Sequence, residues 1–174
     1  MNIYEIVEEF KELHKQINEW KEQRGLTTQM QREGLIKNLK EEIIELIEAE
    51  NPDEEIDALC DIFVFCVGAL KLTLIQKKYL NGYSEFKNSY SDIVTQYKKL
   101  KQKVNDKNIL PLIFTCINTI EDLGFDYFKC MQETIKEISS RTGKYDDKAK
   151  KWIKDTSDEA KAKIKKRKNT NYSN

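Results

Sequence analysis

Residues 40–70 read KEEIIELIEAENPDEEIDALCDIFVFCVGAL, and the fold turns on this stretch. At its middle, Asn51-Pro52-Asp53-Glu54 is a helix start. Asn51 suits the N-cap, Pro52 suits the first helical position, where its missing N–H costs nothing, and Glu54 can close a capping box. One helix therefore ends near Glu50 and another begins at once, so the two must be antiparallel neighbours. On the first helix Leu35, Leu39, Ile43, Leu46 and Ile47 form the apolar arc. Glu42 falls at one margin of that arc and Glu45 one step further out, so both can reach toward a neighbouring helix. On the second helix, residues 62–70 are apolar almost all round, which predicts burial. Asp57 and Asp61 nevertheless share one narrow sector of it, with Glu54 close by and Gly68 two turns beyond Asp61.

Carboxylates entering a buried helix are costly unless a cation compensates them. Glu42, Glu45, Asp57 and Asp61 can converge between the two helices, and several hard oxygen donors in one place suit Mg²⁺ or Mn²⁺. The alternative is a solvated acidic face at a helix start, favoured by the helix dipole. That reading covers Glu41, Glu48, Asp53 and Glu55. It explains the other four less well, because Asp61 is embedded among apolar neighbours.

Outward from this pair the pattern stays helical. Ile3, Ile6, Val7, Phe10, Leu13, Ile17 and Trp20 recur at helical spacing, and Arg24-Gly25-Leu26-Thr27 reads as a stop followed by a new start, with Thr28 as cap. The third helix is expected to run to about Leu80 and to end at Asn81-Gly82. A fourth is expected over about 84–104, with Phe86, Tyr90, Ile93, Val94, Tyr97 and Leu100 as its stripe. Polar residues 101–108 read as a connection, followed by a fifth helix from about Leu110 to Leu123-Gly124 and a sixth over about 127–139. Beyond Ser140 lies a turn-like basic segment, then a peripheral helix and a frayed tail from Asp155. The expected fold class is all-α, a bundle of five to six main helices with a peripheral C-terminal segment. The organisation expected is one domain over 1–154 and a peripheral helix with a flexible basic tail over 155–174.

Composition agrees. Two prolines and six glycines in 174 residues leave long uninterrupted helices possible. Thirty basic and thirty acidic side chains cancel, which removes any case for global steering toward polyanions. Cys60, Cys66, Cys116 and Cys130 sit in apolar contexts without a CxxC pair and read as free thiols. No signal peptide precedes the first helix, and the longest apolar run is too short for a bilayer, so a soluble cytoplasmic protein is expected. The run over 161–168 holds six basic residues and no aromatic, which reads as a solvated tail and makes nucleic-acid binding an unfavoured alternative. A ferritin-like di-iron bundle would need ExxH pairs, and the chain has none.

Glu42-Ile43-Ile44-Glu45 resembles the ExxE motif of the MazG-like all-α NTP pyrophosphohydrolases, and Glu54-Glu55-Ile56-Asp57 resembles their ExxD motif. The stretch Asp57-Ala58-Leu59-Cys60-Asp61-Ile62-Phe63-Val64 is similar to the phage and bacterial branch with two aspartates four apart. It departs from the commonest pattern, in which Glu stands three residues before the final Asp; here that place is Ala58. Either Asp57 and Asp61 or Glu54 and Asp57 then form the ligand pair. A weaker similarity covers 133–154. There Glu137-Ile138-Ser139-Ser140-Arg141-Thr142-Gly143-Lys144-Tyr145-Asp146 resembles the segment that brings basic and hydroxyl groups to the triphosphate.

The resemblance implies a helical bundle, a homodimer or homotetramer, and Mg²⁺ (or Mn²⁺) on the two central helices. It implies hydrolysis of an NTP or dNTP between the α and β phosphates, to monophosphate and pyrophosphate. Under it Glu42, Glu45, Asp57 and Asp61 are the metal ligands, with Glu54 in one of the two assignments, and Glu45 is the candidate to take a proton from water. Arg141 and Lys144 are the candidates for the β and γ phosphates. Trp20 can stack on a base, or simply end its amphipathic helix as a core residue. The rival to catalysis is a non-enzymatic helical interaction protein with a metal-stabilised acidic face.

Overall fold

The computed structural model describes residues 3–71 and 90–156. Six helices and one short hairpin are found among them: α1 (Ile3–Glu22), α2 (Thr28–Glu48), α3 (Pro52–Gly68), α4 (Tyr90–Gln102), α5 (Asp106–Asp122), α6 (Tyr127–Ser140), β1 (Gly143–Asp146) and β2 (Lys151–Lys154). The fold is all-α, as expected. No helix among the described residues is long and apolar enough to cross a membrane.

Local chemistry sets the boundaries. α1 ends in a Schellman motif: Gly25 takes φ +63°, its N–H donates to Glu22 O, and the Leu26 N–H donates to Lys21 O. Gly124, at φ +87°, closes α5 in the same way through Glu121 and Ile120. The cap of α2 is Thr27 rather than Thr28; its hydroxyl accepts from the Met30 N–H. Asn51 caps α3 by accepting from the Glu54 N–H, with Pro52 in the first turn. The Glu54 carboxylate reaches back to the Glu50 N–H, one residue before the position a capping box would use.

Three further expectations are corrected. α3 stops at Gly68, because the Ala69 and Leu70 N–H groups turn onto carbonyls three residues back. Lys21 and Arg32 then cap its end, donating to Gly68 O and Ala69 O. The expected continuation to Leu80, the stop at Asn81-Gly82 and the start of the next helix lie outside the described residues. α5 begins at Asp106, not near Leu110. Asn105 accepts the Asn108 N–H and starts the helix within the polar run read as a connection, leaving Pro111 inside it. The segment after Ser140 is a β-hairpin, with Gly143 opposite Lys154 and Tyr145 opposite Trp152. Its turn is closed by Asp146, whose carboxylate accepts from the Lys148 and Ala149 N–H groups, and by Lys150 at φ 54°. Residues 155 and 156 are not helical, and 157–174 lie outside the described residues.

α3 is the central element, packed on α1, α2, α5 and α6. From Ile62 to Leu70 every residue but Phe65 is buried, as the apolar run predicts. Cys60, Cys66 and Cys116 are buried free thiols and Cys130 is half-buried. His14 lies parallel to Phe10, with ring centroids 6.1 Å apart, and burial lowers its pKa, so it is a packing residue. The outcome for the site is that α2, the head of α3, the last turns of α6 and the end of β2 meet at one end of the bundle.

Candidate active site

A cavity of about 400 Å³ opens where these elements meet. α2 supplies Glu45 and Glu48, α3 supplies Glu54, Asp57 and Asp61, and α6 supplies Thr134 and Glu137. Arg141, which caps the end of α6, and Lys154, the last residue of β2, complete the polar wall. Six carboxylates thus face two cations. The spacing explains the collection. Glu45 and Glu48 lie one turn apart on α2, and Glu54, Asp57 and Asp61 rise turn by turn along one side of α3.

Asp61 is the most constrained of them. Burial lifts its carboxyl to about 6, against the pull of Arg141 and Lys154, while Asp57 and Glu137 push it further up. Arg141 is itself held by Glu137, with Nη2 donating to Oε1 at 2.6 Å. Among the described residues no three His, Cys, Asp or Glu side chains stand close enough to ligate one ion; the carboxylates line the cavity rather than close on a point. Their chemistry nonetheless suits a hard divalent cation. The donors are all carboxylate oxygens, the negative charge exceeds the positive, and the least solvated acid is the one whose ionisation a cation would favour.

The structure brings Glu45, Glu54, Asp57, Asp61 and Arg141 together in this wall. Glu42 lies one turn before Glu45 on α2, half-buried and outside the lining. Lys144 is exposed on β1, also outside it. Side chains alternate along a strand, so in the register Gly143↔Lys154 and Lys144↔Ile153 the two lysines point to opposite faces of the hairpin. Trp20 packs on the core with its indole N–H donating to Ile138 O at 3.3 Å, and it is not part of the lining.

Four wall residues were not among the sequence candidates. Glu48, expected on the solvated face, faces the cavity instead, one turn after Glu45. Glu137 stood in the quoted 137–146 segment without a role. Thr134 and Lys154 carry no local pattern that marks them; only the packing of α6 and the hairpin register bring them here.

Residues 6–80 match the family described as phosphoribosyl-ATP pyrophosphohydrolase, which falls within the MazG-like all-α NTP pyrophosphohydrolase superfamily. That segment contains both acidic motifs on α2 and α3. No curated protein and no solved structure shows a significant match to the chain.

Proposed function

We propose that this chain, whose residues 6–80 match the phosphoribosyl-ATP pyrophosphohydrolase family, hydrolyses a nucleoside or deoxynucleoside triphosphate between the α and β phosphates. The products are a monophosphate and pyrophosphate. The observation that carries this reading is the cavity wall itself: the acidic residues of both motif helices line one cavity with Arg141 and Lys154 beside them. An acidic cluster alone fits many roles. Acids for a metal set next to cations for phosphate fit a polyphosphate anhydride.

Under this reading Glu45, Asp57 and Asp61 would hold Mg²⁺ (Mn²⁺ suits the same donors) by closing from the cavity wall onto the ion, with Glu54 and, from outside the present lining, Glu42 as further candidate ligands. When bound, the metal supplies charge neutralisation at the phosphoryl oxygens and a more acidic water. Glu45, exposed at the wall, takes a proton from the attacking water. Arg141 binds phosphate oxygens through its planar fork and Lys154 as a point charge. Lys144 is the weaker of the basic segment's phosphate candidates because the hairpin turns it away from Lys154. A base contact by Trp20 would require its present hydrogen bond to Ile138 to be given up. A homodimer or homotetramer in the cytoplasm completes the proposal, with Ile44 and Ile47 exposed on α2.

The test is to incubate the protein and Mg²⁺ with a panel of NTPs, dNTPs and phosphoribosyl-ATP and to identify the products. Monophosphate and pyrophosphate support the proposal. A second reading, a non-catalytic interaction protein with a metal-stabilised acidic face, takes support from the open spacing of the carboxylates. Stabilisation by Mg²⁺ without turnover of any nucleotide would favour it.

A further inference from the structure

Arg24 stands outside the cavity, yet it joins the pieces that deliver the cavity's two cations. Its guanidinium carbon lies over two indole rings, 5.1 Å from the Trp20 centroid and 5.5 Å from the Trp152 centroid. Its Nη2 donates to the carbonyl oxygens of Ile138 at 3.2 Å, Ser139 at 3.1 Å and Arg141 at 3.2 Å. The last carbonyls of a helix have no partner within it, and this end of α6 carries the negative end of the helix dipole. A guanidinium suits both kinds of contact, because it can lie over an aromatic ring while its N–H groups donate to carbonyls.

The consequence reaches the cavity through two short paths. Arg141 follows directly on the clamped turn of α6, and its backbone carbonyl is one of the three that Arg24 holds. Lys154 lies two residues beyond Trp152, hence on the same face of β2. Gly143 lets the indole lie close across the hairpin, since a Cβ there would stand 2.6 Å from Trp152 Nε1. One stack therefore fixes the end of α6 and the end of β2 relative to α1.

We propose that Arg24, in contact with both Trp20 and Trp152, is a positioning residue that sets Arg141 and Lys154 against the cavity and thereby governs affinity for the triphosphate chain. This rests on the pyrophosphohydrolase reading of that cavity. Arg24 touches neither the cavity nor its lining acids, so its loss should weaken binding more than it slows bond cleavage.

Trp20 and Trp152 are the only two tryptophans of the chain, so their emission reports the stack directly. The test compares Arg24→Lys, Trp152→Leu and Trp152→Phe with the wild-type chain. Arg24→Lys keeps the charge but loses the planar fork. Trp152→Leu removes one wall, and Trp152→Phe restores an aromatic one. Arg24→Lys should keep the helical circular dichroism, shift the tryptophan emission, and speed amide hydrogen exchange over 138–143 and 151–155 at least tenfold. Inorganic tripolyphosphate with Mg²⁺ should bind at least fivefold more weakly to Arg24→Lys and to Trp152→Leu, and near normally to Trp152→Phe. KM should rise by a similar factor, with kcat within about twofold. If Arg24→Lys fails to fold, the two Trp152 variants carry the same comparison. Unchanged tripolyphosphate affinity and KM in the variants of an active wild type would overturn the positioning role alone. A wild-type chain that neither binds tripolyphosphate nor turns over any nucleotide would overturn the functional reading, and this inference with it.

Discussion

At Asp61 burial and charge oppose one another. The side chain enters an apolar helix, and its carboxyl rises to about 6 chiefly because burial disfavours the ionised form. Its folded pKa lies above its unfolded value, so the folded chain holds the proton more tightly. The stabilisation from protonation therefore grows as pH falls through 6 toward the unfolded value of 3.8. At pH 7.5, where the group is ionised in both states, its burial costs about 2–3 kcal/mol. Asp61→Asn should accordingly raise the melting temperature of the metal-free protein at pH 7.5, and the gap should narrow through pH 6 and close near pH 4. The same variant should lose turnover, because an amide is a poorer ligand of similar shape. Melting curves across pH, with a nucleotide assay beside them, check both outcomes; an active variant would remove Asp61 from the site. Asp61 was legible in sequence because an acid amid Leu59, Cys60, Ile62 and Phe63 needs a reason. Lys154 was not, since one lysine among many in a basic segment gains its place only through the hairpin register.

Among the elements, the helices whose caps are written in local sequence were the legible ones. Asn51-Pro52 and Gly25 mark boundaries through chemistry that acts within a few residues, and α2 and α3 fall where those signals put them. The start of α5 was less legible, because residues 101–108 are polar enough for a connection while the side chain of Asn105 caps a helix within them. The hairpin was missed because its strands are only four residues each and are held by long-range contacts, those of Gly143, Trp152 and Arg24. Two element-scale outcomes follow. Asn51→Ala removes the acceptor for the Glu54 N–H at the head of α3 and should cost about 1 kcal/mol of stability, measured by urea unfolding. Gly143→Ala places a Cβ 2.2 Å from Ile153 O, a backbone atom that cannot swing aside. The strands must part, so the variant should keep its helical signal while its KM for nucleotide rises several-fold. An unchanged KM would show that the hairpin does not deliver Lys154 to the substrate.

On the scale of the whole molecule, the bundle gathers acids from three helices at one end and leaves them with a surplus of negative charge. A ligand that binds only the folded state stabilises it by mass action, so Mg²⁺ or Mn²⁺ at well above its dissociation constant should raise the melting temperature. That rise should vanish in Asp61→Asn. All-α architecture was legible because apolar periodicity and sparse breakers act along the whole chain. The cavity's full wall was not, because α6 and β2 reach it from far along the chain beyond the motif helices, α3 ending at Gly68 and α6 starting only at Tyr127. The choice of bond is tested most directly by turnover of a triphosphate in ¹⁸O-labelled water with Mg²⁺, read by mass spectrometry of both products. Under the proposed function the acids of α2 and α3 hold the metal and its water at the α phosphorus while Arg141 and Lys154 bind the outer phosphates. Label should therefore appear in the monophosphate, beside unlabelled, intact pyrophosphate. A nucleoside diphosphate with inorganic phosphate, or label carried only by pyrophosphate, would contradict it.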